Sequence, residues 1–433
     1  MPSPIATSTS SPLSPDGTTS QAPSGAALVT VAGTWTWGAT DPTHTTDNAI
    51  LLNGSQVGIA EILMANKGGK MYARAYNGWW LWTGSGWSST TPPAPPPPPP
   101  IDSGVTITTP SDVISKRTSL ITQVWGTASL LPTLPTVTNN IANPFPSFTN
   151  ITRVDQYDAS MSNGQSNTSN FYLAGPVSSN RMVILNPGHQ FTCDWTAFAS
   201  GYRIREVLQA LLNDGHSVFA MNMPACGNAT QHAALFARYG DMAMSYFIEP
   251  LVQALNYFDA NYSFLSYDIV GLSGGGWTAT IAPALDTRIQ ISIPVAGSMP
   301  GVQFVPGAGS SPNHGDCAGP CFAEQQNENY YKIAGYLDHY VMCSYGANRQ
   351  HVQILNNADD CCYGNSQWTN VAFDFAAYYG RSWSEYLNDY SATVAHALAT
   401  ITPSNYRLVV DNVATSHQIS TFAQSLILSV LKR

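Results

Sequence analysis

The sequence predicts an α/β fold with a mostly parallel sheet, preceded by a small all-β domain. Strand patterns alternate with helix patterns from about residue 150 to the C-terminus, which is typical of parallel strands with helices on both faces. Short strand patterns with Asn-Gly and Gly-Gly turns fill the N-terminal region, and a proline run follows them. The predicted segments are a disordered leader, a β domain, a Pro-rich linker and an α/β domain, at residues 1–26, 27–90, 91–101 and 102–433.

The leader is rich in Ser, Thr and Pro, and its few apolar groups do not offset the entropy of ordering. It also lacks the basic and apolar regions of a secretory signal. The linker, nearly all proline between residues 92 and 100, predicts a polyproline II spacer of roughly 28 Å at about 3.1 Å per residue.

The β domain is dense in tryptophan. Six of the eleven tryptophans fall in it: Trp35, Trp37, Trp79, Trp80, Trp82 and Trp87. These rings either form a platform on which sugar rings or another apolar polymer stack, or fill the core of a small domain, and the sequence leaves both open. The stretch 76–87, Tyr-Asn-Gly-Trp-Trp-Leu-Trp-Thr-Gly-Ser-Gly-Trp, resembles a small β-module of secreted bacterial polysaccharide-active enzymes, and this resemblance implies polymer binding.

In the α/β domain, the first helix is predicted to be capped by Ser111. The predicted helices cover residues 111–125, 195–213, 241–260, 277–285, 327–340, 371–379, 384–399 and 419–431. The predicted strands cover residues 153–157, 170–174, 181–186, 217–223, 264–270, 289–295, 351–356 and 406–410, the first two as an antiparallel pair.

Charge and hydropathy exclude some classes of function. Charged residues make up 10% of the 433 residues, and the net charge is −9. The sequence has no Lys/Arg cluster, so it lacks the basic patch that is typical of nucleic-acid-binding proteins. No apolar run reaches the length of a membrane span. The oligomeric state is left undetermined.

All seven cysteines lie in the predicted α/β domain: Cys193, Cys226, Cys317, Cys321, Cys343, Cys361 and Cys362. Cys317 and Cys321 are spaced to close a small disulfide loop, and Cys343 is expected to pair with Cys361 or Cys362. Disulfides favour an oxidising, extracellular or surface location. Zinc is the competing interpretation, but no paired Cys-x-x-Cys spacing supports it.

A candidate nucleophile, Ser273, stands in Gly-Leu-Ser-Gly-Gly after an apolar strand pattern and before a helix pattern. A serine on such a sharp strand-to-helix turn is lifted out of the sheet. From about residue 150 onward the chain resembles the α/β-hydrolase family, whose chain order is nucleophile, acid, histidine. The resemblance implies that His417 is the base and that Asp359 or Asp360, with Asp359 preferred, orients it. Asp411 is a weaker candidate for the acid.

The second expected element is an oxyanion hole. One donor is the backbone N–H of Gly274, directly after the nucleophile. Pro-Gly-His-Gln at residues 187–190 resembles the Pro-Gly-aromatic loop of cutinase-like polyesterases, which implies the backbone N–H of His189 as the second donor. A catalytic role of its imidazole is the alternative. Trp195 and Trp277 lie near these segments and either line the substrate pocket or pack in the core.

These features predict a serine esterase that works through an acyl-enzyme, without a cofactor or metal, on an ester substrate that is an insoluble polymer such as a polysaccharide ester or polyester. A metal at His314, Asp316 and Cys317 lacks a fourth spaced ligand. Residues 299–326 form an expected insertion, as a lid or substrate wall. The alternatives are a peptidase or amidase on the same fold, and a non-catalytic binding or surface-attachment protein.

Overall fold

The computed structural model describes residues 19–21, 27–30, 32–41, 44–60, 63–67, 70–75, 78–90, 104–161, 164–175, 180–189, 202–300, 323–359, 363–365, 382–401 and 405–432. The elements up to residue 90 belong to one compact unit, and the sheet and helices after residue 104 belong to a second. The predicted linker and the predicted helix 371–379 lie outside the described residues.

The N-terminal unit is built from antiparallel strands. Its strands are β1 (Thr19–Gln21), β2 (Leu28–Thr30), β3 (Gly33–Asp41), β4 (His44–Leu52), β5 (Ser55–Ala60), β6 (Leu63–Lys67), β7 (Lys70–Ala75), β8 (Gly78–Trp82) and β9 (Trp87–Thr90). They form two sheets, in the orders β2-β3-β4-β5 and β1-β6-β7-β8-β9. Strand β1 falls within the predicted disordered leader and pairs with β6, because a sheet edge supplies hydrogen bonds that local composition does not reveal.

The core of this unit is made largely of tryptophan. Trp35 is fully buried and lies edge-on to Trp82 and Trp87, with ring centroids 5.5 and 6.0 Å away. Trp37 packs against the same cluster. Core packing therefore accounts for four of the six tryptophans of the β region.

The second unit contains a nine-stranded sheet. Its strands are β10 (Thr136–Thr138), β11 (Ile151–Ser160), β12 (Ser166–Ala174), β13 (Arg181–Asn186), β14 (Ser217–Ala220), β15 (Ser266–Leu272), β16 (Ile289–Val295), β17 (Gln350–Asn356) and β18 (Tyr406–Asp411). The order is β10-β11-β12-β14-β13-β15-β16-β17-β18, antiparallel from β10 to β14 and parallel from β14 to β18. The predicted mostly parallel α/β sheet is confirmed.

The described helices of this unit are α1 (Pro110–Trp125), α2 (Ile204–Asn213), α3 (Ala229–Tyr239), α4 (Ser245–Asn261), α5 (Gly274–Leu285), α6 (Glu328–Ile333), α7 (Tyr336–Ser344), α8 (Trp383–Ile401) and α9 (Thr421–Leu431). The cap of α1 is Thr109 rather than Ser111, because Thr109 and Asp112 form a reciprocal capping box with Pro110 at the first helical position. Helix α3 was not predicted from the sequence.

Central strands carry the apolar core of the sheet. Strands β13 and β15 are buried along almost their whole length, as expected of parallel strands covered on both faces. Among the described residues, no helix is both long and apolar enough to cross a membrane.

The cysteine prediction needs one correction. Cys343 on α7 is a free, buried thiol that donates to the carbonyl oxygen of Thr280, 3.0 Å away, so its predicted pairing with Cys361 or Cys362 is wrong. Burial raises the pKa of this thiol to about 12. Cys226 is disulfide-bonded. The predicted Cys317–Cys321 loop lies outside the described residues.

Candidate active site

Ser273 occupies the turn between β15 and α5. Its φ of 59° and ψ of −128° lie outside the conformations that a non-glycine residue ordinarily adopts. Its backbone N–H donates to the carbonyl oxygen of Val295 on the neighbouring strand, and its carbonyl oxygen accepts from Trp277 N–H in the first turn of α5. The strained residue is thus fixed by the sheet on one side and by the helix on the other.

Glycines around this turn permit close contacts between backbones. A Cβ on Gly271 would lie 2.0 Å from the carbonyl oxygen of Gly275, and one on Gly275 would lie 2.0 Å from the carbonyl oxygen of Asn186. Both contacts are far shorter than van der Waals distance, so strand β15, helix α5 and the end of β13 approach each other only because these positions lack side chains.

The loop after β13 lies directly against the same turn. Gly188 has a φ of +83°, its N–H donates to the side-chain oxygen of Asn186, and a Cβ there would lie 2.9 Å from the nitrogen of Gly274. The imidazole of His189 packs on Gly274, because a Cβ on that glycine would lie 2.3 Å from Cε1 and 2.4 Å from Nδ1 of the ring. The structure therefore brings both predicted oxyanion segments together.

His417 lies in the loop between β18 and α9 and is almost buried, with 7% of its surface exposed. Its Nδ1 lies 3.0 Å from Oδ2 and 3.2 Å from Oδ1 of Asp359, which follows β17 and is completely buried. Asn356 donates to Oδ2 of Asp359 and to the carbonyl oxygen of Gln418 beside the histidine. This amide holds both partners in position.

Asp411, the weaker candidate for the acid, has a different role. Its carboxylate accepts hydrogen bonds from the backbone N–H groups of Val413 and Ala414 and from the hydroxyl of Ser420. It shapes the turn that leads to His417. Asp360 lies outside the described residues.

Ser273, Asp359 and His417 share one edge of the sheet. They follow β15, β17 and β18, which run parallel, so all three stand beyond the carboxyl ends of their strands. This edge is where open α/β sheets place their ligand sites.

Of the two tryptophans that were predicted to line a pocket, Trp277 is among the described residues. Trp277 is fully buried, donates its indole N–H to the hydroxyl of Tyr331 at 2.7 Å, and lies edge-on to Phe247. These surroundings are those of a core residue, which is the alternative that the sequence left open. Trp195 lies outside the described residues.

A second cluster of polar side chains was not found from the sequence. Nε2 of His189 lies 2.9 Å from Oε1 of Glu324, and Nδ1 of His232 lies 3.3 Å from Oε2 of the same carboxylate. All three residues are buried. Burial opposes ionisation of Glu324, but His232 and His189 hold the pKa of its carboxyl far below the ordinary value.

No protein-family model and no curated protein matches the chain. Its structure is similar to the methylesterase BT1017, with 14% identity, a TM-score of 0.44 and coverage of 74% of this chain but 62% of the methylesterase. It is also similar to an acetyl xylan esterase from Paenibacillus sp. R4, with 12% identity, a TM-score of 0.45 and coverage of 77% and 97% of the two chains. A putative acetyl xylan esterase from Bacteroides fragilis shows 11% identity, a TM-score of 0.45 and coverage of 69% and 74%. These likenesses are too distant to assign an activity.

Proposed function

We propose that the protein is a serine hydrolase that cleaves carboxylic esters through an acyl-enzyme. The observation that carries the proposal is the buried His417–Asp359 pair, which stands at the same sheet edge as a strained serine on a strand-to-helix turn. A nucleophile, a base and a group that orients the base are the parts that this chemistry requires.

In the proposed reaction, the hydroxyl of Ser273 attacks the ester carbonyl while Nε2 of His417 accepts the hydroxyl proton. Asp359 receives the Nδ1–H of His417, which sets the tautomer and stabilises the imidazolium that forms. The imidazolium then gives the proton to the leaving alkoxide, and the acyl group remains on Ser273. A water molecule releases the acid by the same steps, with His417 as the base again.

The negative charge on the carbonyl oxygen would be stabilised by the backbone N–H groups of Gly274 and His189. The contact of Gly188 with the turn supports this assignment, because it places the loop after β13 beside the nitrogen of Gly274. Preorganised donors of this kind are worth about 10²- to 10³-fold in kcat each.

We further propose that the substrate is an ester on an insoluble polymer, either a polysaccharide ester or a polyester, outside the cell. The resemblance of residues 76–87 to a β-module of polysaccharide-active enzymes, and the proline run that follows this unit, support a polymer target. The disulfide at Cys226 supports an oxidising location.

Turnover of p-nitrophenyl acetate and butyrate by the wild type and by Ser273→Ala tests the activity. The variant should retain less than about one part in 10³ of the wild-type kcat. A phosphonate ester probe should add mass to the wild type and to the control Ser425→Ala, whose serine is exposed on α9, but not to Ser273→Ala. Equal turnover by wild type and Ser273→Ala would contradict the proposal. A screen of acetylated glycans and polyesters tests the substrate class.

A further inference from the structure

Two imidazoles and a carboxylate lie close together at the loop that follows β13. The ligating atoms of His189, His232 and Glu324 all lie within 4.8 Å of one another, and all three side chains are buried. His189 stands in the loop itself, His232 on α3, and Glu324 in a short 3-10 helix at Ala323–Gln326. Imidazole nitrogens with one carboxylate are a donor set that divalent first-row cations bind.

The hydrogen bonds of His232 fix where its proton lies. Its Nε2 is 2.8 Å from the carbonyl oxygen of Pro224, and a carbonyl only accepts, so Nε2 carries the hydrogen. With only that hydrogen on the ring, Nδ1 presents a lone pair to Oε2 of Glu324; the alternative is an imidazolium whose Nδ1–H faces the carboxylate. Neither of these two buried atoms has a hydrogen-bond partner among the described residues. Two electron-rich atoms that face each other in the interior require a positive charge between them.

The distance between these atoms fits two ligands of one metal ion. Two ligands of a tetrahedral zinc ion, with bonds of about 2.0–2.1 Å, lie roughly 3.3 Å apart, and Nδ1 of His232 lies 3.3 Å from Oε2 of Glu324. Histidines that bind metals usually donate their other N–H to a carbonyl or carboxylate, as His232 does to Pro224.

We infer that Nε2 of His189, Nδ1 of His232 and the carboxylate of Glu324 bind one divalent first-row cation, with Zn²⁺ as the best match and a water molecule in the fourth position. The cation joins segments that are far apart in the chain, since His189 and Glu324 are separated by 135 residues. With Nε2 on the metal, the proton of His189 stays on Nδ1, at the ring edge that faces Gly274. The metal therefore holds the loop against the serine turn without taking part in the attack on the ester.

Metal analysis of the purified full chain tests this inference. Wild type produced in zinc-supplemented medium and dialysed against metal-free buffer should contain about one zinc per chain. Glu324→Gln and His232→Gln should each lower that content at least tenfold. Ser273→Ala should keep the full content although it loses ester hydrolysis, so the metal site and the proposed activity succeed or fail independently. His351→Phe, which removes a buried histidine outside the cluster, is the matched control.

Titration of chelator-treated wild type with Co²⁺ and Zn²⁺ tests the site without a variant, and therefore also when a variant does not fold. Addition of Co²⁺ should produce a visible d–d absorption at one equivalent, and Zn²⁺ should abolish that absorption and raise Tm by several degrees. If chelator-treated but folded wild type takes up neither ion, or if Glu324→Gln keeps full zinc content, the inference is overturned. The cluster is then an ion-paired triad with an imidazolium at His232.

Discussion

Nδ1 of His417 lies 3.0 Å from Oδ2 of Asp359, although the two residues are 58 positions apart in the chain. The carboxylate is fully buried, and it also accepts a hydrogen bond from the amide of Asn356. The histidine is therefore held in the tautomer that has its proton on Nδ1, and Nε2 is free of that proton. A base prepared in this way is expected to lose most of its efficiency when the carboxylate is removed.

Asp359→Asn should lower kcat for p-nitrophenyl butyrate by about 10³- to 10⁴-fold, because an amide at this position favours the wrong tautomer of His417. KM should change little, since in the proposed reaction the carboxylate contacts His417 and not the ester. The matched control is Asp360→Asn, at the neighbouring position that the sequence left as an alternative. If Asp360→Asn loses activity and Asp359→Asn keeps it, the assignment of the acid is reversed.

Gly274→Ala should lower kcat by about 10²-fold or more while the protein stays folded, because the new methyl group collides with the imidazole of His189 and displaces the loop after β13. Steady-state kinetics together with the circular dichroism spectrum measure the effect. Gly86→Ala is the control, since among the described residues beyond its two chain neighbours no atom lies within 4 Å of a Cβ at that position. Full activity of Gly274→Ala would show that the contact between His189 and Gly274 does not matter for catalysis.

Much of the fold follows from periodicity and from strand ends. The predicted bounds 181–186 and 289–295 agree with β13 and β16. Strand β13 has the continuous apolar centre of a parallel strand buried on both faces, whereas β16 alternates isoleucine with Gln290 and Ser292. The turn at Ser273 is predicted because Gly-Leu-Ser-Gly-Gly stands between a strand pattern and a helix pattern. In the structure these glycines permit close contacts between backbones. Helix α3 was missed, since its sequence, Ala-Thr-Gln-His-Ala-Ala-Leu-Phe-Ala-Arg-Tyr, follows a glycine-containing segment that indicates a loop.

The cluster of His189, His232 and Glu324 shows why sequence alone was insufficient at the site. Its members come from a loop, a helix and a 3-10 segment, so no spacing along the chain relates them. Metal motifs are recognised when the ligands share one short element, and this cluster has no such element. The sequence also does not reveal that Cys343 is a free thiol, because its burial against α5 depends on tertiary packing.

Trp35→Ala should destabilise the N-terminal unit by about 3–5 kcal/mol, because it removes a fully buried ring and leaves a cavity. It also deprives the hydroxyl of Thr30 of the indole donor that lies 2.8 Å away. Trp80→Ala, at a half-buried position, should destabilise the unit by less than Trp35→Ala does. Limited proteolysis of the full chain, followed by mass spectrometry of fragments from residues 19–90, measures both. Equal protection of wild type and Trp35→Ala would contradict the core assignment.

Acid should destabilise the α/β unit through two buried histidines that stay neutral in the folded state. Burial lowers the pKa of His351 to about 3, with Arg349 and His339 adding to the effect, and burial lowers the pKa of His339 to about 4. The unfolded chain binds these protons near the ordinary value of about 6.5, so it binds more protons than the folded chain between about pH 6.5 and pH 4. The free energy of unfolding is therefore expected to fall as the pH falls through this window.

His351→Phe isolates one of these contributions. The ring of His351 lies against Tyr340 and Tyr406, with centroids 5.3 and 6.0 Å away, and phenylalanine keeps these ring contacts. It removes the titrating group together with the hydrogen bond between Nδ1 and the hydroxyl of Ser292. Asp268 acts in the opposite direction, because burial raises the pKa of its carboxyl to about 6, but it is present in both proteins and cancels in the comparison. Urea midpoints at pH 7, 5.5 and 4.5 should fall less steeply for His351→Phe than for wild type. If the urea midpoints of the two proteins fall equally with pH, His351 does not account for the acid sensitivity.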